Sequence, residues 1–272
     1  MALNRVTIIQ KSLPHYRLPF FSLLRKFLKE KDIDLGLIYG REQGKSSLKD
    51  DEANLSWATY MPARYFSLGS RKVIWHGKLS IPFKSDLVIV ENANKLLFNY
   101  YLLLTRAATA RKMAFWGHSL NFQGNKRSAG KAGNLLKHLL IKQSNWWFAY
   151  TKGEKQKLVN MGVKAGRITA VENAIDTLEL NDHIQDIKAE EREQLKKSLG
   201  LLPQRTAIFI GGMYPEKRLP FLLQCCHLIK KTVPDFNVIL LGNGEDAHLA
   251  QEAARLHSWI HYPNKKKGRE KA

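Results

Sequence analysis

Arg5-Val6-Thr7-Ile8-Ile9-Gln10, followed after a short interval by Phe20-Phe21-Ser22-Leu23-Leu24-Arg25-Lys26-Phe27-Leu28, decides the fold class. The first run has the length and β-branched content of a strand. The second sets Phe20, Phe21, Leu23, Leu24, Phe27 and Leu28 at helical spacing between Arg25, Lys26, Lys29 and Glu30. Strand, turn and helix make one α/β unit. Further along, 33–39, 86–90, 112–116, 146–150 and 168–171 read as strands, and 94–109 and 152–160 as helices. Residues 117–131, rich in Gly, Asn and Ser, read as a loop. Such alternation gives a parallel sheet covered on both faces by helices.

A second alternation begins after the polar stretch 173–191: strand 207–210, helix 219–231, strand 236–241, helix 246–256 and strand 258–262. The expectation is a pair of Rossmann-like α/β domains, 1–171 and 172–272. Because the second run ends after only three strands, that domain is expected to be incomplete.

The 272 residues are 44 % hydrophobic and 25 % charged, the balance of a folded globule and not of a disordered segment. Lys and Arg outnumber Asp and Glu by 44 to 24, a net charge of +20. Phosphates, nucleic acid or an anionic membrane surface are the partners such a charge attracts. The two cysteines, Cys225 and Cys226, are adjacent, which excludes a disulfide framework and a CxxC metal knuckle; no metal site is expected. No run approaches the eighteen apolar residues of a membrane span, and the N-terminus lacks the pattern of a signal peptide. These features place the chain in the cytoplasm, soluble or peripheral on the inner face of the membrane.

Three glycine-containing turns invite a phosphate reading. Gly40-Arg41-Glu42-Gln43-Gly44-Lys45-Ser46 follows a strand but is one residue short of a P-loop, and the segment after it has no apolar face. Gly242-Asn243-Gly244-Glu245-Asp246-Ala247 matches a relaxed dinucleotide fingerprint, yet no ribose-binding acid lies about twenty residues on. It reads better as a tight turn at the carboxyl end of a Rossmann strand. Ile208 to Leu219 runs from strand to helix through Gly211, Gly212, Lys217 and Arg218. Glycines that admit close backbone approach, a helix N-terminus and a neighbouring cation suit an anion, although a solvated Glu-Lys-Arg turn has the same sequence.

In order and spacing these segments resemble the nucleotide-sugar glycosyltransferases of the GT-B fold, specifically the large retaining family 4. Val171-Glu172-Asn173-Ala174-Ile175-Asp176 is similar to that family's linker into the donor domain. Gly211 to Lys217 is similar to its donor motif, Leu240 to Glu245 to its Gly-rich strand end, and Ser12 to Phe20 to the opening of members with polysaccharide or lipid-linked acceptors. Trp116-Gly117-His118 resembles its cleft histidine segment.

The resemblance implies transfer of a sugar, with retention, from a nucleoside diphosphate sugar to a glycan or lipid-linked acceptor, with no cofactor and no metal. It implies His118 at the donor sugar, Gly211, Gly212, Lys217, Arg218, Gly242 and Gly244 at the donor diphosphate, and Tyr16 and Arg17 on the acceptor side. The chain also departs from the family. Gly212 stands where an Arg is usual, Ala174 replaces a linker Gly, and no Glu-x7-Glu element occurs in the 272 residues. Activity is therefore expected to be impaired, with the chain cut inside its donor domain. The competing expectation is a non-catalytic basic module at an anionic membrane. Nucleic-acid binding is the weaker reading, resting on charge alone.

Overall fold

The computed structural model describes residues 3–41, 53–68, 71–78, 80–93, 95–109, 111–118, 141–266 and 268–270. Most of the P-loop-like segment 40–46 and the loop beyond residue 118 lie outside them. The described residues up to Ile175 form one unit and those from Asp176 onward a second.

The first unit is built on a seven-stranded sheet of β1 (Arg5–Gln10), β2 (Asp34–Tyr39), β3 (Thr59–Tyr60), β6 (Leu87–Glu91), β7 (Lys112–Gly117), β8 (Trp146–Ala149) and β9 (Ile168–Ala170). Its order is β3-β2-β1-β6-β7-β8-β9, and every pairing is parallel. A strand covered on both faces needs apolar residues at consecutive positions. β7 has them from Met113 to Trp116; β1 is buried from Val6 to Gln10, its Thr7 hydroxyl being paired with Ser85 Oγ at 2.8 Å.

Alternation along the strands then sorts the core into two layers. Ile9, Val88, Val90, Met113, Phe115 and Trp147 pack on one face of the sheet. Val6, Ile8, Leu35, Leu37, Ile89, Ala114 and Trp116 pack on the other, with Phe21 of α1 (Leu18–Lys29) among them. Further helices of this unit include α2 (Leu97–Leu104), α3 (Arg106–Thr109) and α4 (Lys152–Asn160).

The helix expected over 94–109 is interrupted. Thr105 turns its hydroxyl back onto the Tyr101 carbonyl at 2.8 Å. The buried Arg111 side chain reaches the Leu102 carbonyl and the Thr105 hydroxyl, ending α2 there. Burial lowers the Arg111 pKa to about 10, assisted by the nearby Arg106 charge. An antiparallel hairpin of β4 (Arg64–Leu68) and β5 (Arg71–Trp75) has no counterpart among the expected elements.

The second unit holds α5 (Leu178–Asp186) and α6 (Ala189–Ser198), which occupy most of the stretch read only as polar. Neither helix has a buried residue. A parallel sheet follows, of β10 (Thr206–Ile210), β11 (Asn237–Leu241) and β12 (Ile260–His261) in the order β10-β11-β12, with α7 (Leu219–Thr232) and α8 (Ala247–Leu256) between the strands. Met213, Leu219, Cys226, Phe236, Val238, Leu240, Ala250 and Ile260 form its core. Among the described residues β10 pairs on one side only, and its Ile208 and Ile210 are exposed.

Candidate functional site

In parallel α/β sheets, ligands collect outside the carboxyl ends of the strands. Each unit has one such edge.

In the first unit β1 runs out at Gln10, and a single 3-10 turn, His15–Arg17, leads into α1. This turn carries Arg17 inward. Its guanidinium donates to the Tyr150 hydroxyl at 2.7 Å and to Asn173 Oδ1 at 3.3 Å. It also lies 5.0 Å from the centre of the Trp116 ring and 5.4 Å from that of Tyr150. Burial works against its charge, but Tyr150 and Tyr16 outweigh that and hold its pKa above the ordinary value. The Tyr150 hydroxyl is itself raised by burial, against the opposing effect of Arg17. Arg17, expected on the acceptor side, has its side chain buried and engaged within its own unit, and the half-buried Tyr16 beside it is the more accessible of the two.

His118 follows the last residue of β7 and is exposed. Its ring stands edge-on to Tyr150 with centroids 4.8 Å apart, and its Nδ1 lies 3.9 Å from Glu154 Oε1. Glu154 is buried in the first turn of α4, where its N–H donates to the Thr151 hydroxyl at 3.1 Å. A carboxylate there is favoured by the helix dipole, and Lys157 Nζ stands 3.4 Å from it. The structure thus brings His118, Tyr16 and Arg17 around one residue that sequence reasoning passed over, Tyr150. One signal was available: Thr151-Lys152-Gly153-Glu154 has the Ser/Thr-x-x-Glu form that starts a helix and so marks the strand end before it.

Nearby, Glu91 at the end of β6 accepts from the Lys11 backbone N–H at 3.0 Å. Buried His76 hydrogen-bonds through Nε2 to the Met61 carbonyl at 3.0 Å. Desolvation lowers the His76 pKa, against the Met61 and Tyr39 carbonyls.

In the second unit two loops are laced together backbone to backbone. Gly211 N–H donates to the Leu241 carbonyl at 3.0 Å, Met213 N–H to the Asn243 carbonyl at 2.9 Å, and Asp246 N–H to the Met213 carbonyl at 3.0 Å. A Cβ on Gly242 would stand 1.9 Å from the Gly211 carbonyl oxygen, and one on Gly244 2.2 Å from that of Met213. These two glycines therefore serve the seam between the loops. At Gly212 a Cβ would meet only the Tyr214 ring, at 2.5 Å.

The 3-10 turn Pro215–Lys217 then delivers Lys217 and Arg218, both exposed, to the start of α7. Arg218 takes the left-handed backbone conformation, φ 54° and ψ 47°, as the N-cap of α7, and no side chain caps the helix. Its guanidinium lies 4.9 Å from the centre of the Phe221 ring. Uncapped N–H groups beside two cations make a surface suited to an anion.

Among the described residues no group of three His, Cys, Asp or Glu is placed to hold a metal, and no helix is long and apolar enough to cross a membrane.

No family model matches the sequence, and no curated protein matches it. Solved structures do match its fold. HepE of Anabaena in complex with UDP aligns with a TM-score of 0.62 at 11 % identity, over 96 % of this chain and 69 % of that one. The MnaA–UDP co-structure from S. aureus aligns with a TM-score of 0.56 at 12 % identity, over 97 % and 69 %. UDP-GlcNAc 2-epimerase from Methanocaldococcus jannaschii gives 0.53 at 16 %, over 98 % and 74 %. At such identities the likeness is one of fold: α/β, a GT-B-like pair of Rossmann-like domains.

Proposed function

We propose that the chain is a glycosyltransferase-like protein of the retaining family 4 type, built to transfer a sugar from a nucleoside diphosphate sugar to a glycan or lipid-linked acceptor. The observation that carries this reading is the second unit's laced pair of loops, which ends at the uncapped start of α7 with Lys217 and Arg218 beside it. That two structures of the same fold are complexes with UDP supports a diphosphate there.

In this reading Lys217 and Arg218 stabilise charge growing on the leaving diphosphate, the chief electrostatic demand of such a transfer. Gly211, Gly212, Gly242 and Gly244 shape the loops that receive it. His118 orients the sugar, Tyr16 faces the acceptor, and Arg17 acts as a positioning residue through Tyr150. No metal is invoked. Gly212 stands where that family usually has a phosphate-binding Arg, so the charge on the diphosphate falls to Lys217 and Arg218.

The test is calorimetry with UDP, GDP and ADP on the parent chain and on Lys217→Ala, followed by product analysis with the matching sugar nucleotides. Saturable binding weakened by the substitution supports the site. Acceptor-dependent release of nucleoside diphosphate identifies a transferase, and a sugar nucleotide epimerised without any acceptor identifies a different activity. No binding of any of the three nucleotides overturns the reading.

A second reading has its own observation. One stripe of α1 leaves Phe20, Leu23 and Phe27 45 %, 49 % and 53 % exposed, close to Arg25, Lys26 and Lys29. Apolar side chains among cations suit the inner face of an anionic membrane, as a peripheral contact. Co-sedimentation with phosphatidylglycerol vesicles, but neither with neutral vesicles nor with DNA, is the expected outcome.

A further inference from the structure

α7 and α8 flank an open groove of about 600 Å³ that runs from Pro220 along both helices and is lined also by Gln224, His227, Lys231, Glu252 and His257. Two histidines meet in it. His227 Nδ1 lies 2.8 Å from the Leu223 carbonyl oxygen. A carbonyl only accepts, so Nδ1 holds the proton and a neutral His227 presents a lone pair on Nε2. That nitrogen stands 3.1 Å from Nε2 of His257.

The rings are nearly perpendicular, at 80°, with centroids 4.7 Å apart. A metal ion about 2.0–2.1 Å from both nitrogens would subtend an angle of about 100° at this separation and set the ring centres about 4.8 Å apart. A straight N–H···N bond along both ring axes would instead set them roughly 5.4 Å apart. Both rings also rest against Trp259, His227 edge-on at 5.1 Å and His257 tilted at 5.8 Å, so their orientation is fixed by packing. Lys230 on the same helix is turned to the Phe236 carbonyl at 2.8 Å, whereas Lys231 lines the groove together with Glu252.

The geometry points to a site for a divalent transition-metal ion, held by Nε2 of His227 and Nε2 of His257 and open to the groove. The Leu223 carbonyl performs the outer-shell task that orients metal-binding imidazoles generally. Imidazole ligands suit Zn²⁺, Ni²⁺ and Cu²⁺ more than Mg²⁺ or Ca²⁺. Among the described residues no third His, Cys, Asp or Glu completes a cluster, so the remaining coordination positions belong to water or to a ligand entering from the groove. The affinity is then micromolar, not that of a closed structural site. His257 directly precedes the turn into β12, where Ile260 N–H donates to its carbonyl at 3.0 Å. Metal binding ties the outer face of α7 to that turn and stabilises the second unit.

The experiment is calorimetric titration of the full chain with ZnCl₂ in a non-chelating buffer, with thermal unfolding measured alongside. One saturable Zn²⁺ per chain is expected at this site, with a raised Tm. His227→Gln and His257→Gln should each weaken it at least about tenfold, a change of about 1.4 kcal/mol, while His248→Gln should leave it unchanged. In case a variant unfolds, long-range ¹H–¹⁵N spectra of the unmodified chain should show Zn²⁺ shifting Nε2 of two histidines together. Binding indifferent to both substitutions, or absence of saturable binding by the parent chain, overturns the site. A spectrum in which Zn²⁺ moves no histidine Nε2 pair does so as well.

Discussion

The Arg17 guanidinium donates to the Tyr150 hydroxyl at 2.7 Å across 133 residues of sequence, and so fastens the turn after β1 to the end of β8. Arg17→Ala would leave the half-buried Tyr150 hydroxyl and the Asn173 amide oxygen without that donor. The expected loss is about 2–3 kcal/mol in urea unfolding of the first unit. Arg17→Lys should recover only part of it, since a point charge cannot serve Tyr150, Asn173 and the Trp116 face together. A loss below about 0.5 kcal/mol would show that the contact is peripheral to stability.

His76 supplies a pH test with a definite sign. Its folded pKa is lowered from 6.5 because burial disfavours the imidazolium. The unfolded chain therefore takes up a proton at a higher pH than the folded one. The contribution of His76 is fully present above about pH 6.5 and is lost as pH falls through the lower folded value. Between pH 7.5 and about pH 5, the stability of His76→Gln should fall less steeply than that of the parent. Parallel slopes would show that His76 does not govern this window.

Gly242 and Gly244 differ from Gly211 in what a methyl group would strike. Gly242→Ala and Gly244→Ala place Cβ against the backbone oxygens of Gly211 and Met213, which cannot swing aside as a side chain does. Each should cost about 2–4 kcal/mol and lower the unfolding midpoint of the second unit. At Gly211 the nearest atom is the Phe209 ring at 3.6 Å. Gly211→Ala should stay within about 1 kcal/mol. Equal effects at all three positions would argue against the laced seam.

Part of this was legible in the sequence and part was not, for identifiable reasons. The central strands announce themselves because both faces are buried: Met113 to Trp116 is an unbroken apolar run, and Val6 to Ile9 is apolar or β-branched throughout. The pairing of two Rossmann-like sheets follows from the repeated alternation. The hairpin of Arg64–Leu68 with Arg71–Trp75 escaped notice because its exposed Tyr65 and Phe66 do not alternate with polar residues in a half-buried pattern. At the first unit's edge, His118, Tyr16 and Arg17 are individually visible. Tyr150 gains its meaning only from the sheet order, which sets β7 beside β8. The sequence likewise displayed Lys217 and Arg218, but not that Arg218 would turn left-handed to start α7.

That left-handed Arg218 separates binding from stability in one substitution. A non-glycine residue with φ 54° costs about 1 kcal/mol, because its Cβ crowds the following carbonyl. Glycine adopts the same conformation without that crowding. Arg218→Gly should therefore leave the second unit as stable as the parent or up to about 1 kcal/mol more stable, despite losing the packing on Phe221. If Arg218 and Lys217 share an anion, the same variant should bind a nucleoside diphosphate about tenfold more weakly, the loss of one charge-assisted contact at a solvent-facing site. Arg218→Ala removes the same charge but keeps a Cβ in the left-handed region, so it should weaken binding equally and gain no stability. Calorimetry with UDP, GDP and ADP, together with urea unfolding, distinguishes these outcomes. Strain is refuted if glycine and alanine variants unfold alike, and the anion role is refuted if both bind as the parent does.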